Sequence, residues 1–174
     1  MLSAGGRKLA LTLHVTASVG WFGAVASFLV LAIVGMTAGE PERIRGAYVA
    51  MELVGWYAIV PSSLASLATG LIQSLGTRWG LFRHYWVVIK LLLNVLATLV
   101  LLAHMTAVGR VARAALDGPL AAGDLHGIRI QLIADAAAAL AVLLLAIVLS
   151  IYKPKGLTRY GWRKQQAEGD MSEP

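Results

Sequence analysis

His14, Glu52, Lys90, His104 and Asp135 each sit inside a run of residues that hydrocarbon would otherwise fill. A charged side chain at the centre of a bilayer costs about 2.5–3.5 kcal/mol on insertion scales, so each of them needs a reason to be there. A neutral imidazole can ligate iron through one ring nitrogen. An ammonium or guanidinium can pair with the carboxylates of a porphyrin. Two carboxylates and an imidazole at one depth suit a divalent metal or a proton relay. Plainer roles stand beside these. A lysine can snorkel to the headgroups, a histidine can hydrogen-bond across helices, and a polar triad can fix helix register.

The elements that must hold these residues are four apolar runs, at about 9–36, 47–75, 85–108 and 128–152. Each reaches the ~20 residues that a helix needs to cross a bilayer. The breaks between them, 38–46, 76–84 and 115–127, gather proline, glycine and charge. The expected fold is all-α, a four-transmembrane-helix antiparallel bundle. Residues 153–174 form a basic juxtamembrane segment with Tyr160 and Trp162 at the interface, and its last residues are expected to be disordered.

Composition narrows the function. The chain of 174 residues is 58% hydrophobic and 14% charged, with a net charge of +6 and no cysteine. That excludes thiolate metal sites, disulfides and covalent c-type haem. The positive charge reports topology and lipid contact, not nucleic acid. With four spans, both termini share a side with loop 76–84. That side carries nine Lys and Arg residues against five on the other. The termini are therefore expected to be cytoplasmic, in a bacterial inner membrane. No phosphate-binding, zincin, hydrolase or dinucleotide motif is present.

The 3.6-residue period puts one polar or small stripe on every span. In the first it is His14, Ser18, Trp21 and Phe28. In the second it is Glu52, Trp56, Ile59, Ser63, Ser66, Gly70 and Gln73, with Pro61 set to kink the helix. In the third it is Lys90, Asn94, Ala97, Leu101 and His104, and in the fourth Gln131, Asp135, Ala138 and Val142. Gly20/Ala24 and Gly23/Ser27 offer close helix packing and make a homodimer an expectation.

Counting 1.5 Å per residue divides the polar residues into two layers roughly 12 Å apart. The inner layer holds His14 and Lys90, with Arg78 and Arg83 at its rim. The outer layer holds Glu52, His104 and Asp135. A single haem cannot take both His14 and His104 as ligands if they lie at such different depths.

Residues 8–108 resemble an uncharacterised family of small bacterial membrane proteins, through "LHVTASVGWFGAV", "AYVAMELVGW" and "TGLIQSLGTRWGLFRHYWVVIKLLLNVLATLVLLAHM". That resemblance implies a four-span bundle and brings no activity. "LHVTASVGWFG" and "WVVIKL" with a closing histidine are similar to the HemJ-type membrane protoporphyrinogen oxidases, and the first also resembles the CopD membrane domain. This second resemblance implies that His14 is a haem ligand and that Lys90 is functional. His104 stands one turn further from Lys90 than in the HemJ pattern, and Glu52 and Asp135 have no counterpart, so porphyrinogen oxidation is not carried over.

The expectation is therefore a haem b or porphyrin site at His14, Lys90, Trp21, Arg78 and Arg83, in a membrane redox protein with a quinone-like partner. A second site at Glu52, His104 and Asp135 would take protons or a divalent metal. The alternative is a non-catalytic transport or scaffold bundle that passes an ion through that outer layer.

Overall fold

A computed structural model describes residues 2–76, 80–118, 125–152, 154 and 156–170, with the side chains of 164 and 167–170 left out. Its helices are α1 (Ala4–Thr37), α2 (Pro41–Gly76), α3 (Tyr85–Asp117), α4 (His126–Tyr152) and α5 (Arg159–Asp170). The first four are long and apolar enough to span a membrane. At 34 residues, α1 is ~51 Å long and overruns a hydrocarbon core of ~30 Å, so its ends reach the headgroup regions.

The helices exceed the apolar runs for local reasons. Within the expected break at 38–46, only Ala38–Glu40 leaves the helix. Pro41 opens α2 at its first turn, where the missing N–H costs nothing. α3 continues nine residues past 108 to Asp117, because Arg45 reaches across to its end. Arg45 Nε donates to Ala115 O at 3.0 Å and Nη2 to Leu116 O at 2.6 Å. His126, expected in a loop, is the first residue of α4. The C-terminal segment folds as α5 through Asp170, beyond the point where order was expected to end.

The bundle is a ring in which α1 packs on α2 and α4, and α3 packs on α2 and α4. The diagonal pairs make at most a glancing contact. One end gathers the termini. Leu2 N donates to Gly76 O at 3.2 Å, and Thr158 N donates to Arg83 O at 3.1 Å beside an isolated bridge between His84 and Leu157. This is called the basic end below.

The buried apolar core lies toward the opposite, far end. It is built from Trp21, Val25, Phe28 and Ala32 of α1, Tyr48, Met51 and Ile59 of α2, Met105 and Val108 of α3, and Leu132 and Ala136 of α4. Two close approaches fix it. Arg129 of α4 donates from Nε to Tyr48 Oη at 2.6 Å and from Nη2 to Gly35 O at 2.7 Å. Its guanidinium also lies 5.5 Å from the Tyr48 ring centre.

α2 contains one wide turn, Gly55–Ile59, in which Val60 N bonds back to Gly55 O. It directly precedes Pro61, whose missing N–H already breaks the regular ladder. Ser63 Oγ donates to Val60 O at 2.8 Å. A wide turn holds an extra residue, so beyond it the buried face runs Ile59, Gly55, Met51 and Tyr48. The expected stripe is therefore overturned at its outer end, and Trp56 is 47% exposed to lipid.

Gly55 lies under Met105. A Cβ there would fall 2.6 Å from Cε and 2.8 Å from Sδ of Met105, the flexible end of that side chain. Gly55→Ala should therefore cost about 1 kcal/mol or less in detergent unfolding, because Met105 can swing away. The displaced Met105 should narrow the cavity described next.

Candidate functional site

Between the four spans runs an apolar cavity of about 210 Å³. Trp21 and Phe28, Ile59, Met105 with His104, and Asp135 line it from α1, α2, α3 and α4 respectively. His104 and Asp135 are the two titratable residues among the lining. Leu96 and Val100 of α3 also line it, and they are 59% and 46% exposed on the lipid side. The cavity therefore opens to the bilayer along the α3/α4 seam.

His104 is held by two acceptors. Its Nδ1 lies 3.1 Å from Val100 O, and a carbonyl only accepts, so Nδ1 carries a proton. Its Nε2 is in ion-pair contact with Asp135 Oδ2, an oxygen shielded from solvent that has no hydrogen bond of good geometry. With Nδ1 protonated, neutral His104 would turn a bare Nε2 lone pair toward a carboxylate. A proton taken up at this contact could be held by either side chain. Gln131 Nε2 stands 3.4 Å from the same ring nitrogen. The pair is thus the titratable patch on the wall of an apolar cavity.

Glu52 does not join this pair, and among the described residues no three His, Asp or Glu side chains gather as a metal site. A Cβ on Gly109 would lie 3.1 Å from Glu52 Oε1 and 3.8 Å from Arg113 Nη2. Gly109 is five residues past His104, about 140° around α3. Glu52 therefore lies nearer the far end than His104 and on a different side of α3, which removes the expected three-ligand set.

The inner residues also separate. His14 Nδ1 is 3.1 Å from Ser66 O and 3.1 Å from Thr69 Oγ1. The Thr69 hydroxyl donates to Ala65 O at 2.6 Å, so it accepts from the ring. Nδ1 of His14 is therefore the protonated nitrogen and Nε2 is bare. The ring lies against Gly70, where a Cβ would come within 3.1 Å of Cε1. Just above, Ser18 Oγ and Ser66 Oγ are 2.9 Å apart.

Lys90 lies within electrostatic reach of His14, and its hydrogen bond goes to α4: Nζ donates to Ser150 Oγ at 2.6 Å. Trp21 faces the cavity with His104 instead of joining His14. Arg83 is in the loop before α3, where its carbonyl accepts from Thr158 N of the segment after α4. Arg78 falls outside the described residues. The sequence placed Arg129 at the rim of the outer layer and gave no sign of its bonds to Tyr48 and Gly35, although an arginine one turn into an apolar helix is itself a signal.

No family model, no curated protein and no solved structure matches the chain.

Proposed function

We propose that this is a bacterial cell-membrane protein, with cytoplasmic termini, that binds a lipid-soluble molecule of the quinone class in the α3/α4-gated cavity. The observation that carries the reading is an apolar cavity, open to lipid, whose titratable lining is the His104–Asp135 pair. At about 210 Å³ it is smaller than the ~300–1,000 Å³ of drug-sized pockets, so it suits a ring that enters while its apolar tail stays in the bilayer. A quinone oxygen accepts a hydrogen bond in the oxidised form and takes up a proton on reduction. The pair can serve both, and the electrons come from a partner outside this chain. Titrating the purified protein with a short-tailed quinone and following tryptophan quenching tests the reading. No saturable quenching would end it.

A second reading has its own observation. The bond from His14 Nδ1 to Ser66 O leaves Nε2 bare, the second-shell arrangement that orients metal-ligating histidines. His14 would hold the iron of haem b there, and the group would supply one-electron chemistry. Lys90 is the one described cation placed near that ring. Haem-supplemented expression should give a Soret band that His14→Ala abolishes. Colourless wild-type protein would set this reading aside. The open face at Gly23 and Ser27 leaves room for a second copy of the chain.

A further inference from the structure

Among the described side chains, none of the carboxylates meets the ammonium that Lys90 carries into the bilayer. All nine Asp and Glu residues lie within 40–52, 117–135 or 168–173, so spans α1, α3 and α4 contribute none at the basic end. The ion pairs Arg43–Glu40 and His104–Asp135 are both remote from Lys90. The bond to Ser150 Oγ uses one of the three N–H groups, and the Ser150 hydroxyl donates onward to Ala146 O at 2.8 Å. Ser150 is therefore a tether that holds the ammonium in the α3/α4 seam, and it does not neutralise it.

Depth and surroundings indicate what does. Lys90 is five residues into α3, roughly 8 Å above the helix start. Its ammonium reaches Ser150, two residues from the end of α4, which lies near headgroup level. Above it the lipid-side rim of the seam is apolar, with Leu96 59% exposed on α3 and Leu145 48% exposed on α4. A cation at headgroup depth beneath an apolar groove matches one class of ligand, an anionic oxygen head carrying an acyl chain.

We propose that the Lys90–Ser150 seam is a binding site for an anionic amphiphile of the leaflet at the basic end, with its phosphate or carboxylate on Lys90 and its chain along α3 and α4. The site is independent of what the cavity holds. Its occupant lies across the lipid-side mouth at Leu96 and so stands where a cavity ligand enters.

The test uses the full chain in a neutral detergent, offered equimolar dioleoyl phosphatidylglycerol and dioleoyl phosphatidylcholine, with co-purifying lipid measured by mass spectrometry. A parallel arm offers oleate against oleyl alcohol. Wild type should retain the anionic member of one pair about fivefold or more over its neutral counterpart. Lys90→Gln should bring that ratio close to one, and Lys90→Arg should keep most of it. A phosphatidylglycerol preference identifies the phospholipid headgroup as the source, and an oleate preference alone identifies a free fatty acid. No preference in either arm overturns the proposal. So does a preference that survives Lys90→Gln, because the loop arginines would then be responsible. Helix content and monodispersity confirm that the variants are folded. Should Lys90→Gln fail that control, Ser150→Ala decides: an unchanged ratio rejects the seam, and a lowered one supports it.

Discussion

Gly35→Val should destabilise the protein by about 3 kcal/mol, the upper range for overpacking a tight core. The first added carbon would fall 2.7 Å from Cζ of Tyr48 and 3.0 Å from Cε1 and Cε2. These atoms belong to a rigid ring, unlike the methionine tip over Gly55. Tyr48 cannot swing aside, because it is only 2% exposed and Arg129 holds its hydroxyl. Pushing the ring away would also strain the bond from Arg129 to Gly35 O. Arg129→Met should cost less, about 2 kcal/mol, by leaving a tyrosine hydroxyl and a carbonyl short of a partner. Thermal unfolding in detergent, followed by circular dichroism, ranks the two. An unshifted melt for Gly35→Val would mean that α1 and α2 are not packed as described.

Asp135→Asn should weaken binding of a short-tailed quinone by about 10- to 100-fold, the worth of a hydrogen bond to a charged group. Asparagine keeps the shape and can donate its N–H to the bare Nε2 of His104. What it removes is the carboxylate that can hold a proton taken up at the contact. The neutral pair then has no proton to offer the ligand, although the fold is kept. His104→Gln should cost a similar factor. Because the two side chains form one titratable patch, the double variant should be little worse than either single one, whereas independent sites would multiply their losses. Tryptophan quenching in the three variants measures this. Losses that multiply would argue that the two side chains act separately. His14→Phe, at the other end of the bundle, should leave quinone affinity unchanged, which distinguishes the cavity from the haem reading.

The spans and their packing could be read from sequence because lipid imposes a length and a polarity that few other environments demand. Their ends could not. Pro41 looks like a breaker and is in fact a first-turn residue, and the tail of α3 is held by Arg45, a partner 70 residues away. The phase of α2 was correct from Ile59 inward, where Ser63 and Ser66 are fully buried, and wrong outward of the wide turn, where Trp56 faces lipid. A regular 3.6 period cannot foresee an extra residue in one turn.

The candidate sites were partly legible for a related reason. Depth follows from counting residues, and His104 and Asp135 do meet at one depth. Glu52 departs from them both along and around α3, toward Gly109. Trp21 and His14 share a stripe, but they are two turns apart and serve different surroundings. Lys90 sits at the depth expected of it, and its partner Ser150 had given no sign in the sequence.

The clasp at Arg129 also bears on how the chain is made. Because α1 and α2 precede α4 in the chain, Gly35 and Tyr48 are synthesised before the arginine that engages both. Until it arrives, a tyrosine hydroxyl and a backbone oxygen of the nascent chain must rely on water or the insertion machinery. Translocation of α4 is thus the step that completes the far end, and a ribosome stalled before residue 129 would leave that end unlatched.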